Sequence, residues 1–294
     1  MAVKVILPAQ FAAKSLFAQV TKSFGAFKKM PDEVEFDFGA LRFVRPCGVV
    51  FLSNLALFLH RNGCTVSFTN MNKASEPIRF LDDSLFFEQH LGEKLNVWSS
   101  PRATTRPLVE VRHTDSHGWV RNSFVPWLSQ CSGIAEHDLG ELATCISELF
   151  NNIDDHTEHD VGSIFAQWYP KENRVIVAVA DFGAGIPFTV RRVWECPDDI
   201  GAILVAFEEG FTSQSTPRNQ GAGLHFLLQN VVENLGGRLE VCSADGAVSF
   251  EKDGDSLIYV PYNDVGFCPG TLIVLEFNTG SIERTEGELE DVQW

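Results

Sequence analysis

The stretch ELFNNIDDHT, residues 148–157, carries a glutamate, two asparagines, two aspartates and a histidine within ten positions. Apolar residues recur at three- and four-residue spacings through this region and predict a long helix over 136–155. On that helix Glu148, Asn152 and His156 lie four residues apart and form one stripe. A carboxylate can accept a proton and an asparagine oxygen can ligate a hard cation, so the stripe suits Mg²⁺ and phosphate chemistry. A solvated polar face is the alternative interpretation.

A second motif, VAVADFGAGIP, occupies residues 177–187 and places an aspartate at the end of a predicted strand. Glycines follow at Gly183 and Gly185, and glycine permits positive φ and a close approach of the backbone. A flat ligand can therefore lie against this turn, while Asp181 is positioned to accept the exocyclic amine of adenine. Asp and Gly also form ordinary turns, so the motif alone does not decide between a site and a turn.

A third motif, TPRNQGAGLHFLL at residues 216–228, places two glycines directly before a predicted helix. Backbone N–H groups at a helix N-terminus bind anions, and the helix dipole reinforces this. Gly221 and Gly223 would open such a site, and Arg218 adds a cation beside it. A flexible loop is the alternative.

The order and spacing of these motifs resemble the ATP-binding domain of the GHKL superfamily, which includes gyrase, the ninety-kilodalton heat-shock chaperones, histidine kinases and MutL. ELFNNIDDHT resembles its N box, DFGAG its first glycine box, NQGAGL its second and PGT (269–271) its last. The resemblance covers about residues 105–278. It implies a Bergerat-type α/β sandwich, in which helices cover one face of a mixed sheet.

The resemblance also implies a role for each matching residue. Asn152 would bind Mg²⁺, Glu148 would be the general base, and Asp181 would bind the adenine amine. The remaining implied nucleotide-binding residues are Gly183 and Gly185 beside the adenine, Gly221, Gly223 and Leu224 in the phosphate lid, Thr271 at the adenine site, and His156. His156 has its counterpart in bacterial anti-sigma-factor serine kinases, the branch that EHDLGELATCISELFNN resembles most.

Residues 1–104 are predicted to form a separate small α/β domain. The segment 34–70 reads as strand, helix and strand, and it resembles the STAS domains of anti-sigma-factor antagonists. In those domains a phosphorylated serine begins the helix, whereas RPCG at 45–48 offers no hydroxyl. The sequence thus predicts a degenerate STAS-like docking domain, an ATP-binding domain at 105–280, and an acidic tail at 281–294.

The bulk composition limits the possible partners. The formal net charge of −16 argues against a duplex nucleic-acid binder, which would present a basic surface. Seven cysteines without a CxxC pair favour a reducing cytoplasm over disulfides or a zinc site. No apolar run is long enough for a membrane span.

Two function classes remain open. One is an enzyme that transfers phosphate from ATP to a partner protein, STAS-like or regulatory in nature, or to water. The other is a nucleotide-gated switch, in which ATP orders the 211–222 loop and changes a partner surface. The expected cofactors are ATP and Mg²⁺, and a homodimer is compatible with either class.

Overall fold

The computed structural model describes residues 2–12, 18, 30–154, 161–211, 223–262 and 266–285. Within them the strands, numbered β1 to β12, are Ala2–Ile6, Gln10–Phe11, Glu33–Asp37, Phe43–Val44, Thr65–Thr69, Thr105–Arg112, Val161–Tyr169, Arg174–Asp181, Arg238–Ala244, Gly246–Asp253, Ser256–Pro261 and Cys268–Asn278. The α-helices, numbered α1 to α9, are Pro46–Arg61, Glu76–Asp83, Phe86–Leu91, His113–Trp119, Val125–Ser132, Gly140–Asp154, Ile186–Arg191, Asp199–Ala206 and Gly223–Leu228. π-helical turns at Val120–Phe124 and Gln229–Asn234 follow α4 and α9.

A small parallel sheet in the order β1–β3–β5 begins the molecule. Helix α1 connects β3 to β5, which pair in parallel, so the predicted strand–helix–strand unit is confirmed. The sequence EPIRFLDDSLFFEQHLG at 76–92 predicts one helix, but the structure divides it into α2 and α3. The break falls at Leu85, whose φ of 66° lies in the left-handed region that interrupts a right-handed helix.

The second sheet has seven strands in the order β11–β10–β9–β12–β8–β7–β6. Each neighbouring pair is antiparallel, so the prediction of a mixed sheet is wrong for the described residues. For three of the six pairs the reason lies in the connections. Short turns join β7 to β8, β9 to β10 and β10 to β11, and such turns can only link antiparallel neighbours. Strand β11 itself is absent from the sequence prediction.

Both faces of this large sheet are covered, whereas the sequence predicted helices on one face only. Helices α4 to α9 pack on one face through a core that includes Val177 and Val179. Helix α1 packs on the other face, over Ala178 and Ala180. Twelve of the sixteen α1 residues are buried, because this helix lies between the small sheet and the large one.

The segment 96–107 is rich in Pro, Ser, Thr and Arg, which predicts a linker, yet the structure ties it to α2 by hydrogen bonds and an ion pair. The Asp82 carboxylate, 2% exposed, accepts hydrogen bonds from the backbone N–H groups of Leu95 and Asn96 and from the Ser99 hydroxyl. Arg102 forms an ion pair with Asp83 at 2.9 Å. The boundary near residue 104 stays a prediction. None of the described helices has the length and apolar character needed to cross a membrane.

Candidate functional site

A row of three polar side chains crosses the end of the large sheet. Thr271 of β12 lies directly opposite Asp181 of β8 on one side and Ser243 of β9 on the other. Side chains alternate between faces along a strand, so Asp181 shares the face of Val177 and Val179, which is packed by helices α4 to α9. All three side chains in the row are buried, with Asp181 at 8% and Thr271 at 9% exposure.

Ser243 ties two of the sequence motifs together. Its hydroxyl donates to the Gly270 carbonyl at 2.8 Å and accepts from the backbone N–H of Ile186 at 2.9 Å. It also lies 3.3 Å from the Thr271 hydroxyl. The DFGAG turn and the PGT turn are therefore held against each other by one side chain. The sequence prediction missed Ser243, because a single serine in a strand carries no motif.

Glycine is required at two positions of this cluster. Gly185 has a φ of 85°, and a Cβ there would lie 2.7 Å from the Ser243 oxygen. Gly270 has a φ of 74°, and a Cβ there would lie 2.3 Å from the Asp181 carbonyl oxygen. Both glycines thus permit a contact between turns that a side chain would separate. The turn also binds the carboxylate, because the N–H of Gly183 donates to Asp181 Oδ1 at 2.6 Å.

We expect Gly270→Ala to lower the free energy of unfolding by about 3 kcal/mol, from an unfavourable φ and from the clash with Asp181. Gly254→Ala is the matched control, since Gly254 has a φ of 61° but an added Cβ would meet nothing within 4 Å. That control should cost about 1 kcal/mol. Urea unfolding of both variants measures the difference, and equal losses would contradict the close approach.

The electrostatics of Asp181 become clear by comparison with Asp37. The tetrapeptide DFGA occurs twice, at 37–40 and at 181–184, and each aspartate accepts the N–H of the glycine two residues on. Lys4 Nζ lies 2.8 Å from Asp37, and hydrogen bonds from Lys4, Asn70 and Gly39 lower the pKa of Asp37 to about 2. Within the described ranges Asp181 has no such cation.

Burial therefore dominates at Asp181 and raises its pKa to about 7, although hydrogen bonds from the backbone of Gly183 and Thr271 act in the opposite direction. Burying a carboxylate without a charged partner costs free energy. A ligand that brings a hydrogen-bond donor to this carboxylate would recover part of that cost. The arrangement is typical of a binding residue and unlike the structural ion pair of Asp37.

This pKa predicts the direction in which stability depends on pH. Between pH 4 and 7 the unfolded chain has lost the Asp181 proton, whereas the folded chain retains it. The free energy of unfolding should then fall by up to about 1.4 kcal/mol per pH unit as pH rises, relative to Asp181→Asn. Urea unfolding of both proteins from pH 4 to 8 checks this. The asparagine variant should be the more stable protein at pH 8, and parallel pH profiles would contradict the raised pKa.

Helix α6 carries Glu148 and Asn152, the first two residues of the predicted polar stripe, and the stripe as a whole stays a prediction. Its apolar residues join the same core as Val177 and Val179, so α6 lies on the Asp181 face of the sheet. Glu148 is half-buried on α6, and it contributes, after burial and Glu141, to raising the pKa of Cys145 to about 12. Asn152 belongs to the last turn of α6, with its side chain outside the described part.

The third motif is described only from its helical end. Gly223 begins α9, and the half-buried Leu224 packs against the core on the Asp181 face. His156, Arg218 and Gly221 lie outside the described residues. The structure thus brings Asp181, Gly183, Gly185 and Thr271 together, and it leaves the predicted phosphate lid untested.

The described donor set suits a nucleobase better than a metal ion. Asp181 and Thr271 offer a carboxylate and a hydroxyl beside a glycine-containing turn. The Ser243 hydroxyl is already bonded to Gly270 and Ile186 and holds that turn in place. Within the described ranges, no group of three or more His, Cys, Asp and Glu side chains is placed to hold a metal.

Comparison with known families matches residues 137–259 to the family described as Histidine kinase-, DNA gyrase B-, and HSP90-like ATPase. Comparison with curated proteins yields no matching sequence. The matched segment begins just before α6, includes Asp181 and Gly223 at the start of α9, and ends in β11. It stops before the PGT turn. The packing of helices on a sheet fits this family's α/β sandwich, and the predicted superfamily is thus confirmed for residues 137–259.

Proposed function

We propose that this chain is a Mg-ATP-dependent intracellular signalling regulator that transfers the γ-phosphoryl group of ATP to a partner protein. The observation that supports it most is Asp181, a buried carboxylate without a cationic partner among the described residues, in a row with Thr271 and Ser243. Adenine presents an exocyclic amine, which can donate a hydrogen bond to such a carboxylate. The matched ATPase family supports the same ligand.

In this proposal Asp181 and Thr271 fix the adenine by hydrogen bonds, and Gly183 and Gly185 let the ring lie against the turn. Asn152 binds Mg²⁺, with His156 beside it on the polar stripe. Gly221, Gly223, Leu224 and Arg218 belong to the segment that closes over the phosphates. Phosphoryl transfer depends chiefly on such positioning and charge neutralisation.

Glu148 is proposed as the base. The attacking oxygen, from a serine hydroxyl or from water, forms a bond to the γ-phosphorus as the bond to the β,γ-bridging oxygen breaks. Glu148 takes the proton of the attacking oxygen, and ADP leaves with the bond's electron pair. Glu148 is half-buried and would act as a general base by removing that proton.

The alternative is an ATPase that acts as a nucleotide-gated switch without protein kinase activity. Two observations favour it. Helix α1, from the predicted STAS-like domain, contacts the DFGAG turn through a stacked pair of Phe58 and Phe182. Nucleotide bound at Asp181 could thereby change the first domain directly. In addition, the helix start that resembles a STAS phosphorylation site has the buried Cys47 in place of serine.

One experiment separates these functions. Purified protein is incubated with Mg²⁺ and γ-labelled ATP, alone and with cell lysate, and label is followed in protein and in free phosphate. Label in another protein supports the kinase, and free phosphate alone supports the switch. The absence of ATP binding by calorimetry would overturn both.

A further inference from the structure

Helix α1 contacts the DFGAG turn from the face of the large sheet opposite the Asp181 carboxylate. Asn54, 4% exposed on α1, donates through Nδ2 to the Asp181 carbonyl oxygen at 3.3 Å. The Asp181 carboxylate belongs to the opposite face, as the alternation along β8 requires. One residue of the predicted first domain thus holds the backbone of the proposed adenine-binding residue.

Two further α1 residues continue this contact at helical spacing. Phe58 stacks on Phe182, with ring centroids 5.9 Å apart and an interplanar angle of 15°. The Arg61 guanidinium lies 5.5 Å from the centroid of the same ring and 3.7 Å from Glu110 of β6. Because positions 54, 58 and 61 fall on one helix face, α1 presents a continuous stripe to the end of β8.

The chemistry of Asn54 indicates a specific task. Its Oδ1 is buried and has no hydrogen-bond partner among the described residues. The side-chain amide therefore loses its contacts with water and gains one hydrogen bond in return. A leucine would fill this apolar interface at lower cost. The single bond that the amide does make is directed to the last residue of β8, where the strand turns into DFGAG.

We infer that Asn54 is a positioning residue for adenine recognition, acting through the backbone of Asp181. This inference rests on the proposed function, because it assumes that Asp181 binds the adenine amine. Held from behind by Asn54 and from the neighbouring strand by Thr271, the Asp181 peptide keeps its carboxylate aimed at one point. Without the Asn54 bond that aim is lost, whereas contacts to the phosphates are unaffected.

The test compares ATP with purine riboside triphosphate, which lacks the 6-amino group, by calorimetry on the full chain. Asn54→Leu and the smaller Asn54→Ala should bind ATP about tenfold more weakly. Their affinity for the analogue should be unchanged. Ser53→Ala is the matched control, since Ser53 is equally buried on α1 but bonds to His90 at 2.9 Å. It should lose stability and keep the preference for ATP.

A reciprocal measurement needs no variant. If Asn54 couples α1 to the site, ATP should slow amide hydrogen exchange in α1 from residue 54 to 61 in the wild-type chain. Unchanged exchange, or equal losses for ATP and the analogue in the Asn54 variants, would overturn the positioning role alone. Failure of the wild-type chain to bind ATP would overturn the proposed function and this inference together.

Discussion

Asp181→Asn should weaken ATP binding by at least about 100-fold while leaving the fold intact. The ionised carboxylate offers acceptor oxygens only, so it can accept a hydrogen bond from the adenine amine as well as from the Gly183 N–H. An asparagine that keeps its oxygen on Gly183 directs its own NH₂ donor at the amine. Two donors then face each other in a buried site, and mismatches of this kind cost two or more orders of magnitude.

Calorimetry with ATP measures the effect, and the repeated DFGA supplies a control. Asp37→Asn changes the same residue in the same tetrapeptide, also at the last position of a strand. It removes the ion pair with Lys4, so it should lower stability without altering ATP affinity. Wild-type affinity in the Asp181 variant would mean that the adenine site lies elsewhere.

The two DFGA segments also mark a limit of sequence reasoning. Both place an aspartate after an apolar strand and a glycine two residues later, and local propensity treats them alike. They differ in their charged neighbours. The pairing of β1 with β3 places Lys4 beside Asp37, whereas among the described residues no cation lies beside Asp181. The environment of a carboxylate is set by tertiary pairing, so its charge state could not be predicted from the motif.

That both faces of the large sheet are covered could have been predicted from the sequence of β8. An antiparallel strand with one solvated face alternates polar and apolar residues, yet RVIVAVAD is apolar for six consecutive positions. Its last seven residues are buried. The run itself indicated a sheet covered on both faces. The sequence could not indicate that α1 is the covering helix, because Asn54 and Asp181 are 127 residues apart.

The elements of the site followed the motifs closely. Helix α6, the strand ending at Asp181 and the helix at Gly223 occur where periodicity and glycine placement predicted them, except that α6 begins at Gly140. Residues Glu136–Leu139, predicted as its first turn, form a 3-10 helix. Ser243 was missed, since its role exists only when β9 lies beside β12. Residues that act through a partner strand carry no signal in their own segment.

Glu148→Ala should leave ATP affinity within about threefold of wild type and reduce turnover by about 10²- to 10⁴-fold, the usual contribution of a general base. Binding survives because the adenine contacts belong to β8 and β12, whereas Glu148 lies on α6. Calorimetry gives the affinity, and release of labelled phosphate or transfer of label to protein gives the turnover. The predicted loss is in the chemical step alone, which distinguishes a base from a residue that supports binding.

Glu141→Ala is the control for this substitution, because Glu141 lies seven residues earlier on the same helix and is exposed, whereas Glu148 is half-buried. Both variants exchange a glutamate for the best helix former, so α6 itself should gain slightly in each. Only the Glu148 variant should lose turnover. If both variants turn over ATP at the wild-type rate, the carboxylates of ELFNNIDDHT serve solvation, and the proton acceptor must be sought on another element. If both lose activity together, the shared cause is the charge of the helix and not a base at position 148.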